Sequence, residues 1–262
     1  MLRRGMSFLM YHELQVAGVP LCQTEAGYVR YVVRAVDFRR QLDRIRELGL
    51  AGVSVGGALA SGLEARRTVV ITFDDGCASD FTVAAPALRD AGFGATFYVT
   101  VDFLGRRGYM TRNDVRALAE LGFEIGSHGL SHAYLTQLAP EALGRELALS
   151  RSILTQITGR VVEHLACPGG RWSPAVAAAA ATLGYRSVAT SRPGENHPRS
   201  DLFSLARLPV LRETSDRDVE RRCVGRGRVL RAARGLALAA AKSVLSARYE
   251  RWRDRALGRP TG

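Results

Sequence analysis

The chain has 262 residues, is 47% hydrophobic and 24% charged, and carries a formal net charge of +12. That composition belongs to a globular protein with one large α/β domain and an appendage, and it excludes a disordered chain. Four cysteines in this length exclude a disulfide scaffold, and no apolar run approaches the ~18–20 residues of a membrane span.

From residue 6 to about 210, short apolar or β-branched runs alternate with helical patterns. Residues 6–11 (MSFLMY) read as a strand. Residues 37–49 read as a helix, because Phe38, Leu42, Ile45 and Leu48 recur on one face, with Asp37 placed to cap its start and Gly49 to end it. TVVITF (68–73) is a continuous, buried type of strand. The helical stretch 79–92 holds Pro86, which must kink it or mark its true first turn. ATFYVT (95–100) is a strand, 111–122 a helix capped by Thr111, and FEIGSH (123–128) a strand. Residues 139–158 form a long helix, VVEHLACP a strand, and 173–184 a helix with Ser173 as cap and Pro174 in its first turn. YRSVAT (185–190) and LARLPV (205–210) close the series. Repeated β–α units with continuous apolar strands imply a parallel sheet covered by helices. The expected fold is therefore α/β over residues 1–210, open or closed, with a barrel of about seven parallel strands the first choice. In such a barrel, reactive groups sit on the loops after the strands' C-terminal ends.

The charge is uneven. Residues 211–262 hold 14 of the 37 basic residues and 6 of the 25 acidic ones, a net of +8. Lys242 is the only lysine, and the chain-wide arginine bias reads as coding composition rather than nucleic-acid contacts. Residues 211–226 read as a polar linker. Residues 227–258 read as a basic helix with Leu245, Tyr249, Trp252 and Ala256 on one face. That tail is expected to pack on the barrel, to lie on anionic lipid, or to grip an anionic glycan or partner. The N-terminal apolar stretch is about six residues, short of the ~7–15 of a secretory signal. The expected location is cytoplasmic, peripheral at the inner membrane if the tail binds lipid.

Two constellations carry chemistry. Asp74-Asp75-Gly76 directly follows the strand TVVITF, so two adjacent carboxylates project to different sides of the mouth. One can bind a metal while the other faces water as a base. The same residues also read as an ordinary Asp-Gly turn. Ser127-His128-Gly129-Leu130-Ser131-His132 follows FEIG, and histidines at i and i+4 share one face of a helical turn. Together with Asp75 they make an Asp-His-His site with open positions for water and substrate. Cys22, Cys77, Cys167 and Cys223 show no C-x-x-C spacing, so neither a zinc knuckle nor a redox pair is implied. Cys77 and Cys167 flank the mouth and read as small buried residues.

T-F-D-D-G followed about 50 residues later by S-H-x-x-S-H resembles the polysaccharide deacetylases of carbohydrate esterase family four, over most of residues 6–210. Tyr11-His12-Glu13, Phe38-Arg39-Arg40-Gln41-Leu42, Gly184-Tyr185 and Arg207-Leu208-Pro209-Val210 resemble a subgroup from exopolysaccharide loci. The resemblance implies a distorted (β/α) barrel with fewer than eight strands. It also implies Asp74 as base, Asp75, His128 and His132 as metal ligands, and Zn2+ as metal, with Co2+ or Ni2+ as alternatives. The family's Arg-x-Pro-x-Gly motif matches Ala166-Cys167-Pro168-Gly169-Gly170, so the arginine that orients the base is missing there. Arg171 is the substitute closest in sequence, and the Gly169 peptide N–H is the implied oxyanion donor. The late Leu-x-His motif that supplies the general acid is absent after residue 200; some members of the resembling subgroup use an N-terminal histidine instead, which implies His12, at the end of the first strand, with His197 in reserve. His164 reads as packed on its strand.

The function implied is metal-assisted removal of N-acetyl groups from an amino-sugar polysaccharide, oligosaccharide or precursor. Two alternatives stay open: hydrolysis of a small non-peptide amide, and a non-catalytic carbohydrate-binding relative.

Overall fold

The computed structural model describes residues 5–63 and 67–224. Eight strands form one sheet: β1 (Phe8–Tyr11), β2 (Ala51–Val53), β3 (Thr68–Phe73), β4 (Thr96–Val99), β5 (Glu124–Ser127), β6 (His164–Ala166), β7 (Ser187–Ala189) and β8 (Leu208–Pro209). Its path runs β8-β1-β3-β4-β5-β6-β7, with β2 beside the first half of β3. Every pairing is parallel. The sheet curls so that Leu205, three residues before β8, bridges to Ala189 on β7. The result is a curled, distorted barrel of parallel strands, seven on its main path with β2 added beside β3, where about seven were expected from the sequence.

Strand alternation separates two cores. Leu9, Tyr11, Val69, Ile71, Phe73, Phe97, Leu165 and Val188 face outward under the helices. There Tyr11, Phe73 and Phe97 stack in a row with centroids 5.3 and 5.0 Å apart. Phe38 and Phe123 pack edge-on against that row. Met6, Phe8, Val70, Tyr98, Ala166, Ala189 and Leu205 fill the barrel interior, with Val55, Ala58 and Leu63 packed into the same cluster. Continuing the interior register past the strand ends brings Asp74 after Val70 and Thr72, and His128 after Gly126. His12 follows Phe8 and Met10 in the same way. The pleat therefore directs these side chains to one mouth.

The longer helices between the strands are α1 (Ala35–Glu47), α2 (Ala85–Asp90), α3 (Arg112–Glu120), α4 (Pro140–Thr158) and α5 (Pro174–Thr182); α6 (Asp216–Cys223) follows β8. Thr111 and Ser173 cap α3 and α5 as expected, each accepting a backbone N–H three residues on. Pro86 does both things allowed to it. A π-helical stretch, Asp80–Ala84, leads in, and α2 begins with the proline in its first turn. Helix α1 begins two residues before the expected Asp37. Asp37 lies inside the first turn, paired with Arg34 at 2.5 Å and Arg40 at 2.8 Å.

The expected linker is partly structure. Ser215 and Asp218 form a capping box for α6. Val219 and Cys223, one turn apart, are buried in the outer core. Arg40–Asp216 at 2.5 Å and Arg44–Glu220 at 2.8 Å join α6 to α1. Two apolar residues among charges give too narrow a stripe to announce a helix from composition. The expected basic helix at 227–258 lies outside the described residues. Among the described residues, no helix is long and apolar enough to cross a membrane.

Gly126 sits on the inner face of β5, where a Cβ would overlap the Tyr98 ring and come within 3.1 Å of the His164 carbonyl. Gly126→Ala is therefore expected to destabilise the fold by about 1–3 kcal/mol through overpacking, measured by urea unfolding.

Candidate active site

Two carboxylates leave β3 and go to different tasks. Asp74 turns into the interior and meets Arg207, with Nη1–Oδ1 at 2.6 Å and Nη2–Oδ2 at 2.8 Å. Both side chains are buried. The guanidinium also donates from Nε to the Thr190 carbonyl at 2.8 Å and from Nη1 to Thr72 Oγ1 at 3.2 Å, and it lies 5.4 Å from the Tyr98 ring centre. Burial pushes the Asp74 carboxyl up. Arg207, His128 and His12 outweigh that and hold it below the usual carboxylate range. Asp74 is thus an ionised carboxylate in a fixed orientation.

Asp75 takes φ of 80°, a left-handed conformation uncommon outside glycine. Its Oδ1 lies 3.4 Å from His128 Nε2 and 3.2 Å from His132 Nε2. One ligand atom from each of Asp75, His128 and His132 falls within 4.8 Å of the others, and all three residues are buried. His128 Nδ1 is 2.9 Å from the Ala166 carbonyl, an arrangement that keeps the proton on Nδ1 and leaves the Nε2 lone pair facing Asp75. Burial pushes His128 down to about 4, so its ring is neutral near pH 7. Asp75 is driven far below the usual range: burial raises it, but His132, His12 and His128 lower it more. Two imidazole nitrogens and one ionised carboxylate oxygen, spaced for one ion, fit a catalytic zinc-type site.

The histidines are not on a helical turn. Residues 128–134 form a loop in which Gly129 has φ of 82° and His132 φ of 61°. Positive φ at a non-glycine residue costs ~1–3 kcal/mol and persists only where neighbours enforce it. Glu146 on α4 does so, accepting from Ser131 N at 2.6 Å and from Ser131 Oγ at 3.1 Å. Ser150, one turn on, is 2.9 Å from Ser127 Oγ, which in turn accepts from Gly129 N at 3.2 Å.

His12 is partly buried against the Tyr31 ring, 4.7 Å between centroids, and its buried Nδ1 has no hydrogen-bond partner. Burial pushes its pKa down, against the pull of Asp75 and Asp74. Gly169 has φ of 62° in the loop after β6, and a Cβ there would collide with the Tyr134 ring. Pro168 beside it lies next to the His128 loop, within 3.6 Å of where a Gly129 Cβ would be. His197 is elsewhere: its neighbour Asn196 pairs with Met6, before the start of β1, at the end of the barrel away from the mouth. The loop that carries His197 closes the bottom of the barrel. His164 is buried and hydrogen-bonded to Ser187 Oγ at 2.9 Å.

The cation paired with Asp74 is Arg207, from the segment leading into β8. The Arg171 guanidinium instead lies 3.9 Å over the Tyr134 ring. An arginine inside the apolar run LARLPV is the sequence signal for Arg207, since a charge in a buried strand needs a partner. For Glu146 and Ser150 the signal is two polar residues on the stripe of Leu143, Leu147, Leu154 and Ile157.

An ion-spaced Asp-His-His set lies beside an oriented carboxylate at the mouth of an α/β barrel, an arrangement that could hold a metal ion. Residues 62–188, a little under half of the chain, match the family model described as polysaccharide deacetylase. YxkH of Bacillus subtilis (strain 168), named for polysaccharide deacetylase, is 28% identical over 144 residues, 55% of this chain and 52% of that one. The chain spans about half the length of the curated relatives it matches. Among solved structures, Streptococcus pyogenes deacetylase PplD in complex with acetate superposes with a TM-score of 0.74 at 24% identity. That match covers 84% of this chain and 98% of PplD. IcaB from Ammonifex degensii gives 0.71 at 22%, covering 86% and 99%. At these identities the two structures establish the fold.

Removing one partner of a buried ion pair leaves the other charge unpaired, at a cost of ~3–5 kcal/mol. Arg207→Ala is expected to lower stability by about that amount in urea unfolding. Arg171→Ala is expected to cost less than Arg207→Ala, because Arg171 is only partly buried.

Proposed function

We propose that this protein is a metal-dependent hydrolase that removes N-acetyl groups from an amino-sugar polymer, oligosaccharide or precursor, releasing acetate. The observation that carries the reading is Asp74, ionised and clamped by Arg207, next to the Asp75–His128–His132 set. The match to the polysaccharide deacetylase model supports a carbohydrate substrate. The subgroup-like stretches at Tyr11-His12-Glu13 and Arg207-Leu208-Pro209-Val210 support an exopolysaccharide-locus type within it.

Asp75, His128 and His132 would hold the cation, with Zn2+ the first candidate and Co2+ or Ni2+ next. When bound, such an ion supplies Lewis acidity, polarising a carbonyl and bringing the pKa of water toward ~7. The remaining chemistry belongs to the chain. Asp74 accepts the proton of the attacking water, and the Arg207 fork fixes which carboxylate oxygens face the mouth. The Gly169 peptide N–H donates to the oxygen on which negative charge develops. His12 gives a proton to the departing amine, without which the C–N bond would not break at a useful rate.

The departure at Ala166 favoured a non-catalytic relative. Arg207 removes that argument, because the base retains its orienting cation.

The test is metal content together with acetate release from N-acetylglucosamine oligomers. Wild-type protein is expected to bind metal and release acetate. Asp74→Asn is expected to keep its metal while losing ~10²–10⁴-fold in rate. Asp75→Ala is expected to lose metal and activity together, a larger loss than in His12→Gln. Metal bound without acetate from any oligomer would contradict the deacetylase reading and favour a different amide or a binding role. Activity unchanged in Asp75→Ala would contradict the site itself.

A further inference from the structure

Behind the mouth lies a second cluster, made by three segments that are distant in sequence. Glu13 follows His12, Cys77 comes two residues after Asp75, and Cys22 comes from the loop between β1 and α1. One ligand atom from each of Glu13, Cys22 and Cys77 lies within 4.8 Å of the others. Glu13 and Cys77 are buried, Cys22 partly so, and all the cysteines are free. The Glu13 carboxylate is already oriented: it accepts from Cys22 N at 3.1 Å and from the Tyr28 hydroxyl at 2.8 Å. That hydroxyl is also 3.4 Å from Cys77 Sγ. The Cys22 thiol points to the Gly108 carbonyl at 2.9 Å.

A separate observation points to a missing cation. Asp80, three residues past Cys77 at the start of the π-helical stretch, is 0% exposed, and neither carboxylate oxygen has a hydrogen-bond partner. A buried carboxylate normally finds donors or a counter-charge. The groups that bear on Asp80 after burial itself are Cys22, Asp75, Glu13 and Asp74, all of them acidic, and its carboxyl is pushed well up. The Gln23 side-chain oxygen, one residue past Cys22, is likewise buried without a partner. Asp80 is thus a buried carboxyl with acidic neighbours and no donor of its own.

We propose that Glu13, Cys22 and Cys77 form a second divalent metal site, selective for thiophilic ions of the Zn2+ class, with Asp80 as the anionic group that completes it. Two sulfurs and carboxylate oxygen form a donor set that suits zinc and disfavours magnesium or calcium. On binding, the two thiol protons pass to solvent and two sulfur–metal bonds form, with no change of oxidation state. The bound ion would tie the loop that carries Cys22 to the segments that follow β1 and β3, which carry His12 and Asp75. This site is distinct from the Asp75–His128–His132 set and does not depend on the deacetylase reading.

The test is Co2+ titration of the reduced, chelator-treated full chain, followed by absorption and by metal analysis after gel filtration. Thiolate ligation gives an intense sulfur-to-cobalt charge-transfer band in the near ultraviolet, which an Asp-His-His site cannot produce. Wild type is expected to bind two equivalents and to show the band. Cys22→Ser and Cys77→Ser are expected to lose the band and one equivalent, and Asp75→Ala to keep the band and lose the other. Asp80→Asn, which leaves both thiols in place, is expected to weaken binding at the band at least tenfold. One equivalent in wild type with no band would overturn the proposal. So would a Cys22–Cys77 disulfide formed in air whose formation Co2+ or Zn2+ fails to block.

Discussion

The ion pair between Asp74 and Arg207 is the constraint on which the rest of the interior depends. Neither charge could be buried alone, and each satisfies the other with two short hydrogen bonds. The arginine comes from the residue before β8 and also bonds the Thr190 carbonyl after β7 and Thr72 on β3. One guanidinium therefore joins the last strands of the curled sheet to its centre. The same contact fixes the carboxylate at the mouth. Closing the barrel and orienting the Asp74 carboxylate are one interaction.

Around this pair, the candidate metal site of Asp75, His128 and His132 rests on backbone that the chain would not adopt unaided. Asp75 and His132 both have positive φ, and neither is glycine. What offsets that strain is a layer of polar side chains on α4: Glu146 bonded to Ser131, and Ser150 to Ser127. The Ala166 carbonyl then sets the tautomer of His128. The histidines are thus pre-aimed by a strand, a loop and a helix together, which suits a site that must hold its geometry through a reaction.

Much of this was legible in the sequence because period-two alternation and strand-end position are local signals. TVVITF leading into Asp74-Asp75, and FEIG leading into His128, identified the strands, the mouth and three ligands. What escaped was non-local. Arg207 lies 133 positions from Asp74, and local spacing does not pair them; only the oddity of a charge in LARLPV hints at it. The histidine pair was expected on a helical turn because i, i+4 spacing fits one; Gly129 instead allows a loop. Helix α6 was hidden by its charges, whose partners lie on α1. His197 looked available because a polar loop has no direction until Asn196 pairs with Met6. The Glu13–Cys22–Cys77 cluster had no spacing signature, since its thiols are 55 residues apart in the chain and meet only through the fold.

The central claim is that Asp74 and Arg207 act as one unit inside the barrel. The most direct measurement is a double-mutant cycle of urea-unfolding free energies for wild type, Asp74→Ala, Arg207→Ala and the double variant. The account predicts strong non-additivity, with a coupling near the upper end of the ~0.5–3 kcal/mol range for contacting residues, because the second substitution removes the charge stranded by the first. Losses that add to within ~0.5 kcal/mol would show that the two side chains are independent. They would contradict the account at its base.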